Sequence, residues 1–208
     1  MNEEPALRRT DSIEREMLGE PTAETKRRRR RGKLLGRMLS QLGFSQGRIL
    51  DVGTRSGEVA IEIALAFPEA QVVGLGVPGL ELEVARAAAE EDSLSNRLTV
   101  EAGNIQAMPF EDNSFDAVVS LETLHTTENP IAMLDEIERV LVTNGTLVIG
   151  DIRRSWLALF IPVLRTAYTA DEAKVILRRS RLRYWEFNKY LLWFACTAGK
   201  SVDSLLRG

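Results

Sequence analysis

Apolar and polar positions along the chain repeat with two alternating periods. Short apolar runs at 48–52, 71–75, 98–102, 115–120 and 146–149 have the length of buried strands. The segments between them, 58–67, 80–91 and 130–141, carry helical spacing, as in Ile131, Leu134, Ile137 and Leu141. Pro68 and Gly145 mark two of the stops. Strands alternating with helices of this length predict parallel βαβ units in a sheet covered on both faces. The first two runs, apolar almost throughout, suit that burial. Ligands of such sheets bind beyond the carboxyl ends of the strands, at the switch in strand order. That rule gathers the loops 53–57, 75–79, 103–107 and 120–125 around one crevice. Upstream, a helix is expected from residue 22 or 23 to 42, with Leu34, Leu35, Met38 and Leu42 on one face and Gly43 as its stop. Downstream, helices are expected at 156–165 and 170–180, then a closing pair of strands at 183–187 and 190–197. Residues 1–24 are polar, contain Pro5 and Pro21, and suggest only a short helix near 12–18.

The expected layout is therefore a mobile acidic arm at 1–24, a basic helix at 25–42 that is a candidate lid, one domain at 43–200 and a tail at 201–208. A length of 208 residues, 44% of them hydrophobic, suits one domain with its own core. The single cysteine, Cys196, lies in an apolar run and reads as a buried thiol. With no disulfide partner it points to a reducing, cytoplasmic setting. The N-terminus has no signal-peptide pattern, and no run approaches 18 apolar residues, so no transmembrane segment is expected. No His/Cys cluster suggests a metal.

The net charge of −3 is uneven: Lys26, Arg27 to Arg31 and Lys33 carry +7, leaving −10 on the rest. An acidic domain with one basic knot is a poor general nucleic-acid binder. The knot is read first as a solvated or acid-paired helix face, with Glu3, Glu4, Asp11, Glu14, Glu16 and Glu20 as candidate partners within the chain or between subunits of a homodimer. Binding of RNA, a phosphorylated acceptor or anionic lipid is the alternative.

Specific motifs narrow the class. Ile49-Leu50-Asp51-Val52-Gly53-Thr54-Arg55-Ser56-Gly57 delivers a strand into a glycine-rich turn and straight into a helix, whose first N–H groups suit a carboxylate. It lacks the Gly-x-Gly-x-x-Gly of dinucleotide sites, because position 55 is Arg. The stretch resembles motif I of class I S-adenosylmethionine-dependent methyltransferases. So do 107–120 leading into the fourth strand, Leu124-His125 with Glu128-Asn129-Pro130 and the helix after them, and Asn144-Gly145 with the strand after that. The resemblance covers roughly 34–197. It implies a Rossmann-like, doubly wound, mostly parallel seven-stranded α/β sheet with helices on both faces and the last strand antiparallel. It implies S-adenosylmethionine as cofactor, a small-molecule methyl acceptor, and a cofactor site at Asp51, Gly53, Thr54, Arg55, Gly57, Leu75, Gly76, Asn104, Ile105 and Leu121.

Three positions depart from that pattern. Arg55 replaces the middle glycine of the turn. Gly76 stands where the family carries an acid that accepts both ribose hydroxyls, a loss worth about 1.5–3 kcal/mol. Asn104 follows Gly103 where Asp is usual, and its amide oxygen can still accept from an adenine amino group. For chemistry the candidates are Glu122 and His125, the only histidine, with Asp151, Arg153 and Arg154 following the fifth strand. His125 is a candidate general base. The apolar segment 156–168 suggests a hydrophobic small molecule, the core or a dimer surface. Two readings follow: a methyltransferase acting on a small, hydrophobic molecule, or a catalytically inactive, methyltransferase-like binding or regulatory protein with an altered cofactor site.

Overall fold

The computed structural model describes residues 22–159 and 162–199. The expected arm helix near 12–18 and the tail at 201–208 lie outside these residues. Helix α1 (Ala23–Gln41) is followed by β1 (Gly47–Val52), α2 (Glu58–Ala66), β2 (Ala70–Gly76), α3 (Leu80–Glu91), β3 (Leu98–Ala102) and β4 (Phe115–Leu121). Then come α4 (Pro130–Val140), β5 (Leu141–Ile152), α5 (Ala170–Arg179), β6 (Glu186–Lys189) and β7 (Trp193–Ala198). The sheet order is β3-β2-β1-β4-β5-β7-β6. The first five strands in that order are parallel, and β7 runs antiparallel to both of its neighbours. This is the expected doubly wound sheet, with its switch point between β1 and β4.

One face packs on α4 and α5 through Leu50, Val118, Ile149, Met133 and Leu177. The other packs on α1 and α2 through Ile49, Val119, Val148, Leu35 and Ile63. Alternation along each strand produces this division, since neighbouring residues point to opposite faces. The helix starts follow local chemistry. Thr22 caps α1 by accepting from the Thr25 amide, and Asn129 caps α4 with Pro130 at its first position. Thr169 and Glu172 form a reciprocal capping box at α5.

Tertiary packing changed four expectations. The buried stripe of α1 is Thr25, Arg28, Gly32, Leu35, Gly36 and Leu39, whereas Leu34 is exposed. Gly32 and Gly36 let α1 approach α2, since a Cβ at Gly32 would sit 3.2 Å from Val59 Cα. The run at 146–149 is only the centre of β5, which gains a pair with β4 at Leu141 and pairs with β7 as far as Ile152. Where a helix was expected at 156–165, the described residues form two short 3-10 turns, Trp156–Leu159 and Pro162–Arg165. Pro162 lacks the N–H that a continuous helix would need there. The closing strands are shorter and later than expected, at Glu186–Lys189 and Trp193–Ala198.

Candidate active site

The turn between β1 and α2 is fixed by crowding. Gly53 and Gly57 have φ of +80° and +85°, and Arg55 between them has +52°. The Gly53 and Thr54 amides both donate to the Leu75 carbonyl, at 2.9 and 3.0 Å. Leu75 thus shapes the turn through its backbone, while its side chain is in the core. A Cβ at Gly53 would lie 2.4 Å from Thr123 Oγ1, and one at Gly57 would lie 3.2 Å from Ala85 Cα of α3. Only glycine fits at either position. Gly57 is also the N-cap of α2 and supplies no side-chain cap.

Charged side chains converge over this turn. Asp51, at the end of β1, is 1% exposed. Burial pushes its carboxyl up to about 6, against the opposing pull of Thr54 and Arg28. Arg28 of α1 is 2% exposed and pairs through Nε with Glu58 Oε2 at 3.2 Å, at the start of α2. Its Nη1 lies 3.5 Å from Glu122 Oε2. Arg31 also pairs with Glu122, and Arg27 lies 4.0 Å from it. Burial, with Arg27 and Arg28 close by, lowers the Arg31 guanidinium from its ordinary value. Glu122 is the first residue past β4; it is buried and held at φ +54°, with its amide donating to the Gly150 carbonyl.

Next to this cluster, on the β5 side, His125 Nδ1 lies 2.6 Å from Asp151 Oδ1. The His125 amide donates to Asp151 Oδ2 at 3.0 Å. One carboxylate therefore fixes both the ring and the backbone of His125. With Nδ1–H donating to Asp151, Nε2 is the nitrogen that can take a proton.

The remaining candidates are placed less centrally. Arg55 turns away from the cluster and bridges Glu81 of α3 at 3.4 Å and Glu24 of α1 at 4.0 Å. Gly76 is buried, and a Cβ there would lie 2.8 Å from Leu82 Cδ1. Asn104 is exposed, and its Oδ1 already accepts from the Gln106 amide at 2.8 Å. Ile105 packs partly against the core, and the Leu121 side chain lies in the core beneath α1. The basic knot is acid-paired within the domain: Arg29 reaches Asp92, and Lys33 reaches Glu62. Expectation missed Arg28 and Glu58 as members of the cluster. A signal was present, because Arg28 stands seven residues before Leu35, on the same helical stripe.

A hollow of about 550 Å³ lies beside α5, lined by Arg154, Ala167, Tyr168, Glu172, Val175 and Ile176 among others. None of its lining residues comes from the Gly53–Gly57 turn, Glu122 or His125.

A glycine turn at the switch point of a seven-stranded sheet, with a buried acid on β1 and a histidine past β4, is the architecture of a Rossmann-like transferase domain. The chain belongs to the methyltransferase domain family, whose model matches residues 44–192. It is 34% identical over 115 residues to the ubiquinone/menaquinone biosynthesis C-methyltransferase UbiE of a Geobacter species, covering 55% of this chain and 49% of that protein. It is 39% identical over 106 residues to the sterol 24-C-methyltransferase of Aspergillus fumigatus, covering 50% of this chain and 28% of that one. The chain thus spans about half the length, or less, of these curated relatives. Among solved structures, a SAM-dependent methyltransferase from Aquifex aeolicus superposes with a TM-score of 0.67 at 21% identity, covering 78% of this chain and 87% of that one. The [4+2]-cyclase SpnF superposes at 0.63 with 23% identity, covering 76% and 59%. These likenesses establish the fold; function rests on the site.

Proposed function

We propose that this chain is a S-adenosylmethionine-dependent methyltransferase acting on a small molecule. The observation that carries the reading is the His125–Asp151 pair, set at the same end of the sheet as the Gly53–Gly57 turn. The residues present fit the amino-acid half of the cofactor. Around the turn, Arg28 Nη1 and Nη2, Asp51 Oδ2 and Thr54 Oγ1 are buried without hydrogen-bond partners, and α2 has no side-chain cap. The ribose end is less well supplied. Gly76 offers no acceptor, and Glu81 is paired with Arg55.

When bound, the cofactor supplies an electrophilic methyl group. His125 Nε2 would accept the proton that the acceptor loses, and Asp151 would stabilise the imidazolium by holding Nδ1–H. Orientation does much of the remaining work, because the barrier falls when the acceptor is held in line. Glu122, buried beneath three arginines, anchors α1 at the edge of the crevice. The relatives are named for quinone and sterol substrates. The hollow lined by Tyr168, Val175 and Ile176 shares no residue with the Gly53–Gly57 turn, Glu122 or His125, so a hydrophobic acceptor is supported here by the relatives' substrates alone.

Arg55 locked between Glu24 and Glu81, with no acid at 76, favours the second reading, a methyltransferase-like binding or regulatory protein. Calorimetric titration with S-adenosylmethionine and S-adenosylhomocysteine separates the two. Micromolar binding, followed by labelled-methyl transfer to apolar hydroxyl or carbon acceptors, is expected. No heat up to millimolar ligand, with an unchanged melting temperature, overturns the enzyme reading.

A further inference from the structure

We infer that the tip of the β6–β7 hairpin, with Trp156 beside it, is a docking surface for an anionic lipid bilayer. The assignment goes beyond the proposed function and does not depend on it.

The turn between Lys189 and Trp193 is Tyr190-Leu191-Leu192. Hairpin turns favour Gly, Asn and Asp, which suit both the backbone and water. Here all three turn residues are aromatic or aliphatic and all are exposed, Leu191 at 65%. Trp156 is 67% exposed, and Arg153, three residues before it, is tied to the tip. The Arg153 amide donates to the Leu192 carbonyl at 2.9 Å, and Arg153 Nε donates to the Tyr190 carbonyl at 2.7 Å. The tip itself is ordered. The Tyr190 amide donates to the Trp193 carbonyl at 2.9 Å, and the two rings stack with centroids 4.3 Å apart. An ordered apolar projection of this kind marks an interaction surface.

Charge selects what covers it. The run 152–168 contains Arg153, Arg154 and Arg165 and no acid, and 187–198 contains Lys189 and no acid, within a chain of net charge −3. The acids that flank these runs do not cancel them at the tip. Asp151 is buried against His125, and Glu172 is bound by Arg154. Asp171 is in the first turn of α5, and Glu186 is at the far end of β6 from the turn. A second copy joined here about a two-fold axis would set the same cations against each other. An anionic bilayer matches both features, because Trp and Tyr favour the headgroup level and Lys and Arg favour anionic lipid. None of the described helices is long and apolar enough to cross a membrane, so the contact lies on the bilayer. Ile152 pairs with Trp193, which puts the tip at the end of the sheet where Asp151 meets His125. A docked chain turns that end towards the lipid.

The test mixes the full chain with vesicles of phosphatidylcholine alone and of equal parts phosphatidylcholine and phosphatidylglycerol. Sedimentation reads binding, and tryptophan quenching by brominated phosphatidylcholine in the same vesicles reads insertion. Wild type, the double variant Leu191→Ser with Leu192→Ser, Trp156→Ser and Lys189→Gln are compared, with melting temperature and solution mass recorded without vesicles. Wild type is expected to bind the mixed vesicles with quenching, and the neutral ones more weakly. The double leucine variant should weaken binding about 10- to 100-fold and Trp156→Ser about 10-fold. Lys189→Gln should cost about fivefold on the mixed vesicles and nothing on the neutral ones. No wild-type binding overturns the surface. So does binding without quenching that neither the leucine nor the tryptophan variant weakens, since the contact then lies elsewhere, as at the Arg27–Arg31 run. A wild-type dimer that the leucine variant makes monomeric, without vesicle binding, gives the tip to a second copy and also overturns it. Should the leucine variant fail to fold, Trp156→Ser and Lys189→Gln decide. Calorimetry with S-adenosylhomocysteine reports on the proposed function separately, so either reading can fail alone.

Discussion

Asp51→Asn is expected to make this protein more stable, and only above the pH at which the native carboxyl ionises. Asp51 is 1% exposed at the end of β1, and burial raises its carboxyl from 3.8 to about 6. Below about 4 the group is protonated in both the folded and the unfolded chain and has no differential effect. Between about 4 and 6 the unfolded chain releases its proton while the native state keeps it. The native state then binds more protons, so stability falls as pH rises. Above about 6 the full cost is present, about 3 kcal/mol at 1.36 kcal/mol for each pH unit between the two values. Asn carries no charge and avoids this cost. Its advantage should therefore be near zero at pH 4 and grow to about 3 kcal/mol by pH 8, the raised value already including the attraction of Arg28. Urea unfolding of both proteins at pH 4, 5, 6, 7 and 8 measures the difference directly, and groups common to both proteins cancel. A pH-independent difference, or a wild type that is the more stable at pH 8, would refute the reasoning.

Other consequences can be checked separately. Glu122→Gln removes the buried carboxylate shared by Arg27, Arg28 and Arg31. It should destabilise the fold by about 3 kcal/mol, seen as a melting temperature lower by roughly 6–12 °C. His125→Ala should reduce methyl transfer about 10²- to 10⁴-fold without weakening S-adenosylhomocysteine in calorimetry, and Asp151→Asn should also reduce it, because the ring loses the carboxylate that orients it. Gly76→Asp restores the missing ribose acceptor, but its Cβ meets Leu82 Cδ1 at 2.8 Å. Tighter cofactor binding is expected only when it is combined with Leu82→Ala, and calorimetry on the single and double variants shows whether this holds. Cys196 is buried, and burial pushes its thiol up to about 12. A thiol reagent at pH 8 should label it only as the protein unfolds.

Much of the fold is legible in the sequence because strand and helix periods are local. The runs at 49–52, 71–75 and 115–120, the break at Pro68 and the Asn129–Pro130 start each express a preference within one turn or one pleat, whereas Gly145, expected to end the helix, lies inside β5 and the helix stops at Val140. The chain order of glycine turn, His125 and Asp151 is enough to place the crevice at the switch point. The segment 156–165 misled because apolar composition does not show which hydrogen bonds Pro162 removes.

What sequence alone determined is the order of elements, the end of the sheet at which the candidate site lies, and the family. Tertiary structure decided the partners. Arg28 belongs to a run of five arginines that looks alike along the chain. Only helix phase places it at 2% exposure while Arg29 and Lys33 stay near the surface. Glu58 and Glu122 are 64 residues apart, and the parallel pairing of β1 with β4 brings both to the same guanidinium. The physical reason is that a buried charge must be compensated by whatever the fold brings near it, and no local pattern encodes contacts between distant segments.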